Sequence, residues 1–299
     1  MNARIFLVLT LLGLPAYAVE KIEERADADP RGEVEVSNTA GNVTVTGWDR
    51  SEVEVTGELG DSGERLEFVP EGKHTLIKVI YPRDRDHHGD RHTYADLDIR
   101  IPEQSRLEVT TVSADITVSG VTGAQSLGTV SGTVVAPVAG ERVEVRTVSG
   151  DARVTGNGSE GDVRVQAVSG DAIVKGVRGE ISAASVSGDV EVEAQQAARL
   201  TAQSVSGNVD LAIGLTEASH VEVDTVSGEV VLDLEDGSDA EYVIETFSGD
   251  IDNCFGPEPQ RTSQYAPGSE LRFSTGSGSA QVRVNTLSGG VELCDENGD

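Results

Sequence analysis

Positive charge is scarce in this chain: Lys+Arg total 23 against Asp+Glu 52, a formal net charge of −29 at pH 7. Nucleic-acid phosphates and anionic membranes are normally met by clustered cations, so the imbalance argues against both partners. Basic proteins and divalent cations stay compatible with it. Long apolar runs are missing too. The longest, Ile5 to Leu14, falls far short of the roughly 20 residues that span a bilayer, so no membrane span is expected in the mature chain. Aromatic residues make up 4 % of the sequence, and Trp48 and five tyrosines are the only large amphipathic stacking surfaces. That is thin provision for a carbohydrate-processing cleft. No cysteine lies near the N terminus to accept a lipid, and no long helical pattern appears. Even "EVEAQQAARLTAQ" from Glu191 stays in phase with the repeat described below.

The N terminus has the order of a secretory signal. Arg4 supplies a short positive region, the apolar run follows, and Ala16-Tyr17-Ala18 ends in small residues before Val19. Residues 1–18 are therefore expected to be removed, giving a periplasmic or secreted protein. Despite its charge, the remainder is no disordered polyanion, because Val, Ile and Leu recur at strand spacing throughout.

The dominant feature is a period. Gly132, Gly150, Gly170, Gly188, Gly207, Gly228 and Gly249 each follow a serine, at intervals of 18, 20, 18, 19, 21 and 21 residues. "TVSADITV" is a preceding copy with Ala114 in place of glycine. A period near 20 marks a solenoid whose turns stack only on their neighbours. Within one period, Val163, Val165 and Ala167 of "DVRVQAVSGDAIV" share a strand face, and the alternation slips at Val168. A corner there resolves the slip. The expected fold is all-β: a single-stranded β-solenoid of short strands, about 20 residues per turn. A β-sandwich is the alternative; an outer-membrane barrel is disfavoured because its strands need about 9–11 residues.

One β-repeat body is expected over 19–299. It divides into less regular N-terminal turns at 19–103, regular repeats at 104–254, an excursion loop at 255–270 rich in Pro, Gly and Ser, and closing turns at 271–299. "NTLSGGVEL" restores the phase at Ser288-Gly289, so the turns of Gly249 and Gly289 should adjoin. Cys254 and Cys294 each lie five residues after their glycine. Stacked about one strand spacing apart, they meet the geometry of a disulfide in an oxidising compartment.

The repeated polar groups read as structural. A serine nucleophile needs a local base, yet His220 is the only histidine among the regular repeats, and no serine sits in G-x-S-x-G. Ser149-Gly150, Ser169-Gly170, Ser187-Gly188, Ser206-Gly207, Ser227-Gly228, Ser248-Gly249 and Ser288-Gly289 are expected to be repeat corners, the serine bonding the bend and the glycine supplying positive φ. The following residues, Asp151, Asp171, Asp189, Asn208, Glu229 and Asp250, would stack into an acidic column. Ca2+ is the one cation this column suggests, although neither an RTX-type repeat nor an EF-hand loop is present. No catalytic residue, cofactor or assured metal ligand emerges. "RDRDHHGDRH" from Arg83 holds zinc-type donors in Asp84, Asp86, His87, His88, Asp90 and His92, but a polar excursion between strands explains it more simply. Trp48 and Tyr265 could join a binding patch or merely anchor loops.

"GNVTVTGWDRSEVEVTG", "YADLDIRIPEQSRLEVTTVSADITVSGVTG", the serial "TVSGD" elements and "LRFSTGSGSAQVRVNTLSGGVEL" together resemble the DUF4097 family of adhesin or toastrack-type β-repeat proteins, over roughly residues 30–295. The resemblance implies an exported or envelope-associated solenoid and carries no catalytic motif. The expected function is therefore a non-catalytic β-repeat protein presenting an acidic surface, as an adhesin or cell-envelope scaffold, to an envelope or extracellular protein or glycan. The alternatives are a carbohydrate-active β-solenoid enzyme and a divalent-cation-binding envelope protein.

Overall fold

A computed structural model describes residues 20–60, 64–81, 94–234, 239–263 and 267–295. The expected signal segment and the Arg83–His92 cluster lie outside the described residues, as does Tyr265. The described chain is all strand and turn. The N-terminal end comprises β1 (Glu20–Asp27), β2 (Glu33–Trp48), β3 (Glu52–Leu59), β4 (Arg65–Glu71), β5 (His74–Ile80) and β6 (Ala95–Pro102). The middle comprises β7 (Arg106–Ser119), β8 (Gln125–Ser131), β9 (Val134–Pro137), β10 (Val143–Ser149), β11 (Ala152–Ser169), β12 (Ala172–Ser185), β13 (Val190–Ser206), β14 (Val209–Ser227) and β15 (Val230–Leu234). The C-terminal end comprises β16 (Ala240–Ser248), β17 (Ile251–Asn253), β18 (Gln260–Arg261), β19 (Ser269–Ser274), β20 (Ala280–Ser288) and β21 (Val291–Asp295).

Each rung has two arms joined at the Ser-Gly corner. The arm before the corner pairs in parallel with its equivalents, as Val143 with Val163, Val163 with Ile181 and Ile181 with Leu200. The arm after it does the same, as Ala152 with Ala172, Ala172 with Val190 and Val190 with Val209. Alternating Val, Leu, Ile and Ala from both arms fill one continuous core, including Val145, Val165, Leu200, Val223, Val192 and Leu211. Burying each such side chain fully contributes about 1.5–3 kcal/mol, which is how a narrow body with few aromatics holds together.

The strands are longer than the alternation suggests. β14 runs for 19 residues because the second bend is not a break in the rungs of β11 to β14. The backbone passes it with a register shift, as between Thr155 and Ser159 or between Ala194 and Arg199, a bulge that turns the strand while keeping its ladder.

The rungs do not stack in chain order at either end. At the C-terminal end β20 pairs with β14 on one side and β16 on the other, and β21 likewise lies between β15 and β17. The last rung is thus inserted between two earlier ones. Gly249 and Gly289 do occupy adjoining rungs, but the rung of Gly249 is the outer one. β19 reverses direction and pairs antiparallel with β16, and β18 pairs antiparallel with β19. This hairpin covers one outermost edge, the usual need of a terminal repeat. Tyr242, fully buried, stacks on Phe273 at 4.6 Å between ring centroids, with Phe255 edge-on at 6.0 Å to both. The N-terminal end repeats the device: β2 lies between β7 and the later β5 and β6, and antiparallel β4 and β3–β1 cover the edge beyond.

The cysteines fall where this insertion brings β17 against β21. Asn253 pairs with Leu293, and the amide of Cys254 donates to the Leu293 carbonyl at 2.9 Å. Cys254 is disulfide-bonded. The side chain of Cys294 lies outside the described residues.

Candidate interaction surface

The corners hold the main departures from the sequence expectations. Ser149, Ser169, Ser187, Ser206, Ser227, Ser248 and Ser288 are exposed at the bends, but none makes a side-chain hydrogen bond among the described residues. At several corners the bond falls instead to the inward Thr or Ser three residues before the glycine position, whereas Thr147 and Ser204 in the same place have no hydrogen-bond partner among the described residues. Ser185 Oγ donates to the Gly170 carbonyl at 2.9 Å, and Thr111 and Thr129 donate to the Ala114 carbonyl at 3.2 and 3.3 Å. Nor is positive φ the common reason for glycine. Gly132, Gly150 and Gly228 have it, whereas Gly170, Gly188, Gly207, Gly249 and Gly289 do not. What all these positions share is a close approach to the backbone of the neighbouring rung. A Cβ on Gly188 would stand 2.2 Å from the Gly170 carbonyl oxygen, and one on Gly207 would stand 2.1 Å from that of Gly188.

The acidic column also has a local role. Asp151 Oδ1 accepts the amide of Asp171 at 3.1 Å, Asp171 that of Asp189 at 2.9 Å, and Asp189 that of Asn208 at 2.8 Å. Asn208 Oδ1 accepts the amide of Glu229 at 3.1 Å. Each side chain thus satisfies a backbone donor that the corner leaves without a ladder partner. No group of three His, Cys, Asp or Glu placed to hold a metal occurs among the described residues. One column neighbour is electrostatically strained: burial, followed by the carboxylates of Asp189, Glu191 and Glu229, raises the carboxyl of Asp210 above its ordinary range.

Between the inward Thr, Ser or Ala and the corner serine stands one residue per rung that the slip in alternation throws outward. In stacked order these are Val112, Val130, Val148, Val168, Val186, Val205, Val226, Leu287 and Phe247. Their exposures run from 44 % to 61 %. Scattered exposed aliphatics need no explanation, but nine in line do. At about 4.8 Å per rung they form an apolar ladder about 38 Å long and one side chain wide. Opposite Val112, β2 offers Thr39, and the ladder ends there. Its middle borders a groove of 620 Å³ with Ala184 between Gln166 and Gln203, Arg146 toward one end and Asp224 toward the other. The slip at Val168 was visible in the sequence; that the slipped residues stack outward could have been read from the same period.

The remaining sequence candidates are not gathered into this surface. Trp48 lies at the N-terminal end, its Nε1 donating to the Glu52 carbonyl at 2.8 Å. His220 lies within β14, paired with Arg199 and Gln281.

Among family models, one described as Toastrack DUF4097 matches residues 91–294. No curated protein matches the chain. Solved structures that the chain matches include a putative adhesin from Parabacteroides distasonis, at 12 % identity with 92 % of this chain and 98 % of that chain covered and a TM-score of 0.46. Another is a putative adhesin from Bacteroides fragilis, at 10 % identity, coverages of 93 % and 99 %, and a TM-score of 0.40. A third, a putative lipid binding protein from Parabacteroides distasonis, shows 13 % identity, coverages of 92 % and 96 %, and a TM-score of 0.42.

Proposed function

The chain belongs to the Toastrack DUF4097 family, and from that premise we propose that it is an exported, non-catalytic interaction protein of the adhesin type whose contact face is the apolar ladder. The single observation carrying this reading is the alignment of nine half-exposed apolar side chains along the body. A continuous apolar line of this length on a monomer is a mark of a contact surface. Its methyl groups offer no hydrogen bonds, so the ladder suits an apolar line on a protein better than a sugar. Charge narrows the partner further. Asp151, Asp171, Asp189 and Glu229 run beside the ladder, just beyond the corner, on a chain of net charge −29. The complementary surface is an amphipathic polypeptide segment with an apolar stripe flanked by Lys or Arg. Such steering would speed encounter and weaken with salt.

The reading is tested in the native cell with a photo-crosslinking amino acid at Val186, on the ladder, and separately at Lys175, on the other arm. One specific protein adduct from Val186 and none from Lys175, in an exported fraction, supports it. Adducts from Lys175 alone, or retention of the protein in the cytoplasm, would overturn it.

A further inference from the structure

At the N-terminal end, away from the ladder, three adjoining concavities each contain arginine although the chain as a whole is strongly acidic. The first, 120 Å³, is lined by Trp48, Pro102 and Arg50. The second, 430 Å³, contains Arg31 and Arg106 and shares Gln104 with the first. The third, 190 Å³, shares Arg106 with the second and adds Arg142. The register explains the hollow. Arg106, Ala124 and Arg142 occupy equivalent positions on three consecutive rungs, so a small residue separates two long cationic ones.

Arg31, Arg50 and Arg106 make no ion pair among the described residues, while Arg142 pairs with Asp162 at 3.4 Å. Two of the unpaired three are nevertheless held in place. Arg31 Nε donates to Gln104 Oε1 at 3.1 Å, leaving the outer edge of its guanidinium uncommitted. The Arg50 guanidinium lies 5.0 Å from the centroid of the Trp48 ring, a cation–π arrangement that orients it without neutralising it. Guanidinium forks held without an ion pair match carboxylate geometry. Asp49, Glu103, Glu108, Glu141 and Glu144 line the same concavities. They would repel a simple polyanion, but they can accept hydrogen bonds from hydroxyl groups.

Arginine forks spaced along a trough, with carboxylates and an amide between them, suit a ligand that alternates carboxylates with hydroxyls. We propose that this trough binds a linear carboxylated oligosaccharide, with Arg31, Arg50 and Arg106 receiving its carboxylates. The site does not depend on the ladder or on its partner.

The chain contains one tryptophan, and it lies in the trough, so intrinsic fluorescence reports on the site directly. The full-length protein is titrated with trigalacturonate, with maltotriose as the neutral comparator and sodium sulfate at matched ionic strength. The proposal predicts a saturable change with trigalacturonate alone, with the apparent Kd raised at least about tenfold in Arg106→Gln and in Arg50→Gln. Arg178→Gln, on a distant rung, leaves the titration unchanged, and thermal melts verify that each variant folds. An absent response, an equal response to maltotriose or to sulfate, or an unchanged titration in both trough variants would each overturn it.

Discussion

Leu287 stacks directly on Val226 across the β14–β20 pairing, and Phe247, which the chain reaches first, stands one rung further out. The order of the apolar ladder at its C-terminal end, Val226 then Leu287 then Phe247, is therefore set by insertion of the final rung between two earlier ones. A cysteine pair tests this order. Val226→Cys with Leu287→Cys should oxidise to a crosslink, since neighbouring strands bring Cα atoms to about 4.8 Å. Val226→Cys with Phe247→Cys, two rungs apart, should not. Peptide mapping with and without reduction distinguishes the two, and the opposite pattern would mean the rungs follow chain order.

Gly188→Ala is expected to destabilise the protein by about 2–4 kcal/mol in urea unfolding, because the added methyl meets backbone that cannot move without shifting a whole rung. Ser187→Ala, at an exposed side chain that makes no hydrogen bond, should stay within about 0.5 kcal/mol. Comparable losses at the two positions would restore a structural bond to the serine.

Asp171→Ala removes the acceptor of the Asp189 amide, while Asp171→Asn retains an acceptor oxygen. The alanine variant should lose about 0.5–1.5 kcal/mol and the asparagine variant much less. Calcium should shift the melting temperature no more than ionic-strength controls do. A calcium-specific rise abolished by Asp171→Asn would show that the column holds ions.

Two aspartates should respond to pH in opposite senses. The hydroxyl of Ser277, followed by the amides of the adjoining turn, lowers the Asp239 carboxyl below its ordinary value of 3.8, as Asp239 ties the start of β16 to the turn before β20. Its contribution is present above 3.8 and is lost as pH falls through the depressed folded value. Asp239→Ala should therefore lower the melting temperature at pH 7, with the difference shrinking in acid. Asp210, raised above 3.8, binds its proton more tightly folded than unfolded. Asp210→Asn should raise stability at pH 7, and that gain should shrink as pH falls through the raised folded value and be gone below the ordinary 3.8. Melts across pH 2–8 check both signs.

The repeated alternation made the two arms, the corner and the aliphatic core legible, since Val163, Val165 and Ala167 all turn inward as their spacing requires. The stacking order was not legible. A parallel rung offers the same apolar register to any neighbour, so Gly289 could have followed Gly249 or been inserted before it; only the reversal at β19 decides. The corner serine is the visibly repeated hydroxyl, yet Thr111, Thr129 and Ser185 bond the corners from inside, because only an inward side chain reaches the bend carbonyls. The trough at Arg31, Arg50 and Arg106 was illegible because residues scattered through the first rungs converge only once β2 pairs with β7.

The claim that the ladder is the contact face is tested most directly by the affinity of an amphipathic Leu/Lys helical peptide for the protein and for Val168→Ser/Val186→Ser/Val205→Ser. These side chains are already half exposed, so the triple variant should melt close to the parent while binding the peptide at least about tenfold more weakly. A Leu/Glu peptide of the same pattern should bind neither protein. Equal affinity for parent and triple variant would show that acidity alone attracts the peptide and would contradict the ladder as the contact face.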